Sequence, residues 1–493
     1  MSIQIHDTIS RKTLPFEPIQ PGKVSMYLCG PTVYSDCHIG HLMGPVVFDT
    51  VSRWFKARGN DVQFVINITD IDDKIINRAA DEGVSWQSIA EKYTAQYFDF
   101  LKELDVTTIT DHPHCTHHLD SMVTFIGDLI AKGRAYDAPD GVYYRVEKQP
   151  DYGKLSGRKL EDMLSGSRIQ GQEGLENPAD FALWKKVKPG EPSWESPWGP
   201  GRPGWHIECS VMASDLMGSA FDIHGGGDDL KFPHHENEIA QSEAHGDAFA
   251  SIWMHHGLVQ FGGRKIGKSD PLMKDPEFAR QFDARWLLDT YGAPAVRYFL
   301  VRSPYRRPVD FEASALDAAR TGLVRLYRQL GSLLEEASYA SLTEIMGRDL
   351  PETLQTERQA FCESMDNDFN TGEAVAALFR IASVAKSVEG AANTQALTLM
   401  RDLGRLLGLL QVGDLQRTEK AGMDADSDLA ILVEQTLEAR SEARAEKNFA
   451  RADSLRDALT EAGIQVLDSS AGTTFERTPG ATGDPEAILR AAL

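Results

Sequence analysis

The segment Val24-Ser-Met-Tyr-Leu-Cys-Gly-Pro31 and the nearby tetrapeptide His38-Ile-Gly-His41 carry the first structural signal of this chain. The apolar run predicts a buried strand that ends at a Gly-Pro turn, and apolar residues after His41 recur at helical spacing. Pro45 is compatible with the first turn of that helix, where an N–H group has no helical partner. The run Val62–Ile66 predicts another strand. A strand, helix, strand order favours a doubly wound, parallel α/β sheet.

The local composition and hydrophobic pattern of the sequence change at two later places in the chain. Between about residues 140 and 205 Gly and Pro are dense and four tryptophans are interspersed, which predicts an irregular but packed insertion within the sheet. Sheet-type segments are expected to resume after Trp205 and to run to about residue 260. From about residue 312 apolar stripes at helical spacing, such as Leu316, Leu323 and Tyr327, predict a helical bundle.

A polar stretch from Gly413 to Ser427 separates the bundle from a small final unit. In that unit one helix is predicted to place Phe449, Leu455 and Leu459 inward. The helix is expected to give way to a strand at Ile464–Leu467. A small mixed α/β unit is therefore predicted at the C-terminus.

Composition narrows the class of protein. The 493 residues are 42% hydrophobic and 25% charged, with no apolar run long enough to span a bilayer and no secretory pattern at the N-terminus. Five scattered cysteines favour a reducing compartment, so a cytoplasmic protein is expected. The net charge of −22 gives no support for nucleic-acid binding, because phosphate recognition favours a basic surface.

Four separated residues are candidate ligands of one metal ion. His234 and Glu238 are four positions apart and would share one face of a helix. Cys29 follows the first strand, at the sheet edge where ligands of α/β proteins collect. Cys209 precedes a Gly-rich segment. Two thiolates, an imidazole and a carboxylate would form a plausible tetrahedral zinc site.

Spacing alone leaves alternatives open for these residues. A cysteine in a strand is usually a core residue, and a His–Glu pair on a helix is usually a surface pair or a cap. His235 is an equally placed alternative to His234. The Gly-rich segment His224-Gly-Gly-Gly-Asp-Asp229 is predicted to be a turn.

The tetrapeptide His38-Ile-Gly-His41 is a candidate nucleotide site. A helix N-terminus offers N–H groups and a positive dipole end to phosphate. Both imidazoles could donate hydrogen bonds to phosphate oxygens, while Gly40 leaves room for an adenine ring. The alternative is a pair of surface histidines.

Lys265-Ile-Gly-Lys-Ser269 is the candidate partner of that motif, about 225 residues later. Lys265 and Lys268 lie in a Gly-containing loop and could close over a triphosphate, stabilising charge that moves onto pyrophosphate. Alone, such a lysine pair is usually solvated surface.

Taken together, these residues resemble the cysteinyl-tRNA synthetases, class I enzymes with a Rossmann-type catalytic domain. The family's HIGH motif stands verbatim at His38–His41. The similarity extends from residue 1 to about residue 475. It rests on further strings, which are Tyr27–Tyr34, Asn67–Lys74, Asn177–Trp184, Gly204–Cys209, Phe232–Glu238 and Met365–Thr371.

The resemblance implies a Rossmann-type doubly wound parallel sheet with an insertion, followed by a helical bundle and a small mixed α/β C-terminal domain. We predict a catalytic domain at residues 1–310, with the insertion at about 120–203 and the lysine-loop region at about 260–310. The bundle is predicted at 311–413 and an anticodon-recognition domain at 426–493.

The resemblance also implies the roles of particular residues. One zinc ion per chain would bind the candidate ligands and the sulfur of the substrate cysteine. Thr69 and Trp205 would border the cysteine, and the adenosine would meet Gly227 and Asp229. The zinc ligands implied are Cys29, Cys209, His234 and Glu238.

The implied reaction has two steps. The carboxylate of L-cysteine attacks the α-phosphate of ATP, which is accompanied by Mg²⁺, and the resulting adenylate esterifies tRNA(Cys). Positioning and charge stabilisation would carry catalysis. The family pattern also implies a monomer that works without a membrane.

This sequence departs from the family pattern at two places. The mobile loop is normally KMSKS, and here Ile266 and Gly267 stand between the two lysines, with Asp270 placing a carboxylate beside them. Leu42-Met-Gly follows the HIGH motif, where a small residue and then an arginine are usual. We expect activity to be retained at a lower rate.

Two rival functions are open at this stage. A cysteine ligase of low-molecular-weight thiol synthesis shares the catalytic domain but lacks the C-terminal unit, which Ala443–Asp453 and Gly472–Thr474 indicate here. Phe475 stands where the family often has Trp and could stack on a base. The second rival is a non-catalytic zinc- or tRNA-binding paralogue with a decayed lysine loop.

Overall fold

The chain divides into two compact units in the computed structural model. The first unit comprises Met1–Val259, Ser303–Val309 and Cys362–Ala374, and the second comprises Gln260–Arg302, Asp310–Phe361 and Val375–Leu493. The structure describes residues 2–159, 174–265, 270–337, 340–421, 428–445, 448–469, 472–477 and 485–493.

The first unit contains both strands and helices, interspersed along the chain. The strands are β1 (Gln4–Asp7), β2 (Lys12–Pro15), β3 (Lys23–Leu28), β4 (Asp61–Ile66), β5 (Ala135–Ala138), β6 (Gly141–Tyr144), β7 (Phe181–Lys186), β8 (Gly201–Pro203), β9 (Ala220–Gly227) and β10 (Phe249–His256). The helices are α1 (Ile39–Ala57), α2 (Asp73–Glu82), α3 (Trp86–Glu103), α4 (Leu119–Ala131), α5 (Trp205–Met217) and α6 (His234–His245).

A parallel sheet in the order β10-β9-β3-β4 forms the centre of the first unit. The extended segment near Asp111 and His114 continues it beyond β4 through parallel bridges. Chain order therefore reverses between β3 and β9, which is the switch point where doubly wound folds bind ligands. This arrangement confirms the predicted α/β class.

The glycines of β9 allow helices to pack closely against the sheet. A Cβ atom at Gly225 would lie 2.2 Å from the Phe48 ring, and one at Gly226 would lie 2.5 Å from the His235 ring. The segment His224–Gly227 is strand and not the predicted turn, because glycine here meets a packing requirement and not a conformational one. Asp228–Lys231 forms the 3₁₀ turn that follows.

Two other local predictions were wrong. Residues 205–217 form helix α5 before β9 begins, although sheet was expected to resume directly after Trp205. Pro45 lies in the second turn of α1, because the helix begins at Ile39. A proline at this position has no N–H group to donate to the carbonyl of the preceding helical turn.

The insertion is an ordered antiparallel sheet in the order β5-β6-β7-β8, although its Gly- and Pro-rich texture predicted irregular structure. Trp184 of β7 is fully buried and packs edge-on against Trp198. Aromatic packing thus orders a segment whose composition alone suggests loops.

The chain after residue 259 contains the second unit together with Ser303–Val309 and Cys362–Ala374 of the first, and it is mainly helical. The strands of residues 259–310 are β11 (Val259–Phe261), β12 (Arg264–Lys265) and β13 (Val309–Asp310). The helices that follow β12 are α7 (Pro276–Arg280), α8 (Ala284–Tyr291), α9 (Ala293–Val301), α10 (Ala313–Leu330), α11 (Leu342–Gly347), α12 (Glu352–Asp366), α13 (Thr371–Ser387), α14 (Gly390–Leu406) and α15 (Asp414–Lys420). The predicted apolar stripe of α10, including Leu316, Leu323 and Tyr327, is buried.

The C-terminal segment contains α16 (Asp428–Ala445), α17 (Phe449–Glu461), an antiparallel pair β14 (Ile464–Ser469) and β15 (Gly472–Arg477), and α18 (Pro485–Ala492). Leu455 and Leu459 face inward as predicted. Phe449 does not: it is 63% exposed, because it occupies the first position of α17, ahead of the packed turns.

No helix in the described part of the chain is both long enough and apolar enough to cross a bilayer.

Gly225→Ala is expected to destabilise the first unit by about 1–3 kcal/mol, because the new methyl group overlaps the buried Phe48 ring. Gly127→Ala in α4 is the matched control, since a Cβ there meets no atom within 4 Å and alanine favours a helix by about 1 kcal/mol. Thermal unfolding should show a lower melting temperature for the first variant and a slightly higher one for the second. Equal shifts would contradict the packing described.

Candidate active site

Two cysteines meet at the carboxyl end of the parallel sheet. Cys29 directly follows β3, and Cys209 lies on α5, the helix that leads into β9. Their Sγ atoms are 3.5 Å apart. No side chain fits at Gly30, where a Cβ would lie 1.7 Å from the Asn67 carbonyl oxygen, so the chain turns tightly and aims Cys29 into the site.

Helix α6 brings the other two candidate ligands to the same point. His234 Nε2 lies 3.5 Å from Cys29 Sγ and 3.0 Å from Glu238 Oε1. Glu238 Oε1 lies 3.4 Å from Cys29 Sγ. The donor atoms of Cys29, Cys209, His234 and Glu238 all lie within 4.8 Å of one another. Ligand atoms around a tetrahedral ion with zinc-like bond lengths are about 3.3–3.8 Å apart, so this group could hold a metal ion.

Burying these ionisable donor groups together costs free energy unless a cation is bound between them. Burial raises the pKa of the Cys29 thiol well above its ordinary value, and contacts with Cys209 and Glu238 raise it further. The Tyr27 hydroxyl is fully buried beside the thiols and is in contact with Cys209. A metal ion would neutralise the donors and leave thiolates that accept a hydrogen bond from such a hydroxyl.

A second arrangement of donors shares part of this group. Cys29, His224, His235 and Glu238 also lie within 4.8 Å of one another. However, His235 Nδ1 is hydrogen-bonded to His255 Nε2 at 2.8 Å, and His224 Nε2 bonds the outer oxygen of Glu238 at 2.7 Å. The contact of His224 orients it as a support for Glu238. Distance favours His234 over His235 as the histidine ligand, because Glu238 Oε1 lies 3.0 Å from His234 Nε2 and 3.9 Å from His235 Nε2.

His234 is itself held in place from two sides. Its Nδ1 lies 2.9 Å from His206 Nδ1, and burial lowers the pKa of His206 to about 3, so that His206 is neutral and can accept. The Trp205 ring stacks on the His234 ring with centroids 4.2 Å apart. Nε2 of His234 is thereby left facing the thiols.

Thr69 lies in a buried polar network beside the thiols. Its hydroxyl donates a hydrogen bond of 2.8 Å to Glu208 Oε2, and Asn67 Nδ2 lies 3.4 Å from the same hydroxyl. The Asn67 amide oxygen in turn lies 3.7 Å from Cys209 Sγ. The side-chain amide of Asn67 therefore lies between Thr69 and the candidate metal ligand Cys209. Trp205, in contrast, is partly exposed at the rim of the site.

The HIGH motif forms the N-terminus of α1. His38 is the N-cap residue, and its Nδ1 accepts from the Gly40 N–H at 3.1 Å, while His41 Nδ1 accepts from the His38 N–H at 3.0 Å. The two rings stack 3.8 Å apart. Because both Nδ1 atoms are acceptors, a neutral ring carries its proton on Nε2. A Cβ at Gly40 would lie 2.9 Å from the His38 ring, so glycine is needed for this stack.

Gly227 and Asp229 lie at the end of β9, beside the switch point. A Cβ at Gly227 would lie 2.7 Å from Asp229 Oδ1, so glycine leaves the space for that carboxylate. The structure thus gathers the candidate metal ligands, the HIGH motif, Gly227 and Asp229 at the carboxyl edge of one sheet.

The lysine loop belongs to the second unit. Lys265 ends β12, and Lys268 lies outside the described residues. Asp270, expected to place a carboxylate beside these lysines, is 3.1 Å from Arg264 and caps the following turn through the Leu272 N–H. Its charge is therefore compensated by a neighbouring arginine.

Sequence reasoning missed the supporting residues Asn67, His206, Glu208 and His224. Each of them lies inside a string or segment that the sequence already singled out. No local periodicity distinguishes a supporting residue from a core one, since the support is exerted through contacts distant in sequence.

Comparison with known proteins adds an independent line of evidence. Residues 15–321 match the family described as tRNA synthetases class I (C) catalytic domain, residues 360–411 match the DALR domain, and residues 426–475 match the cysteinyl-tRNA ligase anticodon binding domain. Among solved structures, Mycobacterium tuberculosis methionyl-tRNA synthetase bound by methionyl-adenylate is 13% identical with a TM-score of 0.54, covering 81% of this chain and 96% of that chain. The LeuRS of Agrobacterium radiobacter K84, in a complex with tRNA, is 13% identical with a TM-score of 0.56. The match covers 82% of this chain and 85% of that chain.

The fold and the matched catalytic domain are those of a class I aminoacyl-tRNA synthetase. Cysteine–tRNA ligases of Hahella chejuensis and Stutzerimonas stutzeri are 43% and 45% identical, and each match covers 96% of this chain and at least 99% of the relative. The ligase of Thermococcus onnurineus is 41% identical over 97% of this chain and 99% of its own length. The chain belongs to the cysteine–tRNA ligase family.

Metal binding separates the two candidate histidines. His234→Ala is expected to lose the bound metal ion, because it removes the donor atom nearer to Glu238, whereas His235→Ala is expected to retain it. Metal content per chain after dialysis against a weak chelator measures both. Retention by the first variant with loss by the second would assign the site to His235.

Proposed function

We propose that this chain activates L-cysteine with ATP to cysteinyl-adenylate and then transfers cysteine to tRNA(Cys), with one Zn²⁺ ion selecting the substrate thiol. The observation that carries the proposal is the meeting of two thiols, an imidazole and a carboxylate at the switch point of the sheet. The N-terminus of α1, a site suited to phosphate, begins a few residues after the first of these thiols.

Zinc fits this set of donors. Two sulfur ligands, a nitrogen and a carboxylate oxygen match the preferences of Zn²⁺ better than those of Mg²⁺ or Ca²⁺. We infer that Cys29, Cys209, His234 and Glu238 hold it. A bound zinc ion stabilises a substrate thiolate, whereas the hydroxyl of serine gains little from it. A site of this kind can reject serine more strongly than the shape of an apolar pocket could.

The amino acid would lie between the metal ligands and the two proposed cysteine-binding residues. Trp205 stacks on His234 and would cover the side of the substrate that faces the solvent. Thr69 would contact the polar end of the amino acid from the buried side. The thiol, the amino group and the carboxylate are then held at separate points, which fixes the carboxylate for attack.

ATP would lie along the N-terminal end of α1. The Nε2–H groups of His38 and His41 are suited to donate to phosphate oxygens, since both Nδ1 atoms already accept backbone hydrogen bonds. Gly40 lets the nucleotide approach the helix. We infer that Gly227 and Asp229 hold the adenosine, because a carboxylate at a strand end is suited to ribose hydroxyls.

The chemical step requires charge stabilisation and no protein nucleophile. The cysteine carboxylate attacks the α-phosphate in line, and pyrophosphate leaves with its charge stabilised by Lys265, Lys268 and the Mg²⁺ that accompanies ATP. His38 and His41 stabilise the same phosphates from the helix end. The terminal adenosine of tRNA then attacks the carbonyl and releases AMP.

We assign the catalytic steps to residues 1–310, a helical bundle to residues 311–413 and anticodon recognition to residues 426–493. Support comes from the match of residues 426–475 to an anticodon-binding domain. We further propose a monomer in the cytoplasm, because the reaction as written needs one set of these residues and the scattered cysteines favour a reducing compartment.

The decisive experiment is cysteine-dependent ATP–pyrophosphate exchange, followed by charging of purified tRNA(Cys). We expect both reactions, with serine activated at least 10³-fold less efficiently, because a buried polar site rejects a ligand that leaves its groups unpaired. Exchange without tRNA charging would favour the thiol-pathway ligase. Absence of exchange would favour the non-catalytic paralogue, and equal use of serine would contradict selection by zinc.

The role of the lysine loop can be tested separately. Lys268→Ala is expected to lower kcat for the exchange reaction about 10²–10³-fold with little change in cysteine affinity, since a single preorganised charge at the transition state contributes that much. Lys274→Ala, a nearby exposed lysine, is the matched control and should retain kcat. Equal kcat in both variants would exclude Lys268 from catalysis.

A further inference from the structure

Glu208 is a buried carboxylate beside the proposed amino-acid site that the reaction as written does not use. It lies on α5, next to the metal-ligand candidate Cys209, and is 1% exposed. Its Oε2 accepts the Thr69 hydroxyl at 2.8 Å, and the Cys115 thiol is a second hydrogen-bond partner.

The acidic side chains of Asp72 and Asp70 act electrostatically on Glu208. Among the described residues, no lysine, arginine or histidine forms an ion pair with it, unlike Glu238, which has His224 and His234. A carboxylate taken out of water without a cation is costly, so its retention calls for a cationic ligand or a structural reason.

The hydrogen bonds that Thr69 already makes determine whether its hydroxyl can donate or accept a further one. A hydroxyl has one proton and two lone pairs, and the proton is given to Glu208. Asn67 Nδ2, at 3.4 Å, uses one lone pair at most. The hydroxyl can therefore only accept a further hydrogen bond, which suits an ammonium group and does not suit a carboxylate.

The substrate's amino group can reach this acceptor. The sulfur and the amino nitrogen of cysteine are three bonds apart, or about 3–4 Å in staggered conformations. Asn67 contacts both Cys209 Sγ, at 3.7 Å, and the Thr69 hydroxyl. With the thiol held at the metal ligands, the amino group would extend towards Thr69.

We propose that Glu208 is the positioning residue for the α-ammonium group of the amino acid: by accepting the Thr69 proton it fixes the Thr69 hydroxyl as an acceptor. This inference rests on the proposed function, because it takes the substrate to be an amino acid bound through its thiol. It assigns recognition of the ammonium group to the buried wall of the site, opposite the exposed Trp205.

The test uses three thiols that differ in one group each: L-cysteine, cysteamine, which lacks the carboxylate, and 3-mercaptopropionate, which lacks the amine. Binding to the zinc-loaded full chain is measured by isothermal titration calorimetry without ATP. Glu208→Gln is expected to weaken cysteine and cysteamine at least tenfold and 3-mercaptopropionate less than twofold. The NH₂ group of the glutamine can donate to Thr69, which turns the hydroxyl proton towards the substrate.

Glu236→Gln is the matched control. Glu236 is an equally buried carboxylate on α6, and it accepts hydrogen bonds from the backbone N–H groups of Gly153 and Ser156, away from Thr69. A merely structural effect of losing a buried carboxylate should weaken all three thiols alike, and this is the pattern expected of the control. The same uniform pattern in Glu208→Gln would overturn the inference.

A second variant covers the case in which Glu208→Gln does not fold. Thr69→Val keeps the side-chain shape but removes the acceptor, and the same selective loss of the two amines is expected; a uniform loss or no loss would overturn the inference. Thiol binding by the wild-type chain distinguishes failure of the proposed function from failure of the role of Glu208. If the wild-type chain binds none of the three thiols, the proposed function fails, whereas thiol binding with no selective loss of the amines in the variants removes only the role of Glu208.

Discussion

The gathering of two thiols, an imidazole and a carboxylate in one buried place is the constraint on which the first unit depends. Cys29, Cys209 and Glu238 would all carry negative charge as metal ligands, and none of them is compatible with a dry interior unless a cation is present. The fold nevertheless brings them together from a strand end and two helices. The parallel register of β3 beside β9 makes this possible, because it opens the sheet at its switch point.

The residues around the donors orient the ligand atoms towards the candidate metal position. His224 takes the outer oxygen of Glu238 and leaves the inner one for the metal, while His206 takes one nitrogen of His234 and leaves the other. His235 is held in the same way through His255, but its Nε2 lies farther from Glu238 than that of His234. These contacts come from β9, β10 and α5, so the orientation of each ligand depends on elements that are distant in sequence.

The same edge of the sheet separates three kinds of recognition. Sulfur would be held by the donors, the polar end of the amino acid by Thr69, and phosphate by the N-terminus of α1. The histidines of the HIGH motif have a structural function as well as a proposed chemical one, because they cap the helix whose N–H groups would face the nucleotide. A change at His38 would therefore act on both.

The sequence by itself determined the α/β class, the sites of the main strands and helices, and the residue types that a metal or phosphate site needs. Hydrophobic periodicity is a local property, so β3, α1, β4 and the stripe of α10 could be predicted from it. Only the tertiary structure decided that His224–Gly227 is strand, because the reason lies in rings from α1 and α6. It likewise favoured His234 over His235, since adjacent histidines differ in nothing local, and it alone revealed Glu208 behind Thr69. Contacts between segments far apart in the chain carry no periodic signal, so the support of a site has to be read from the folded molecule.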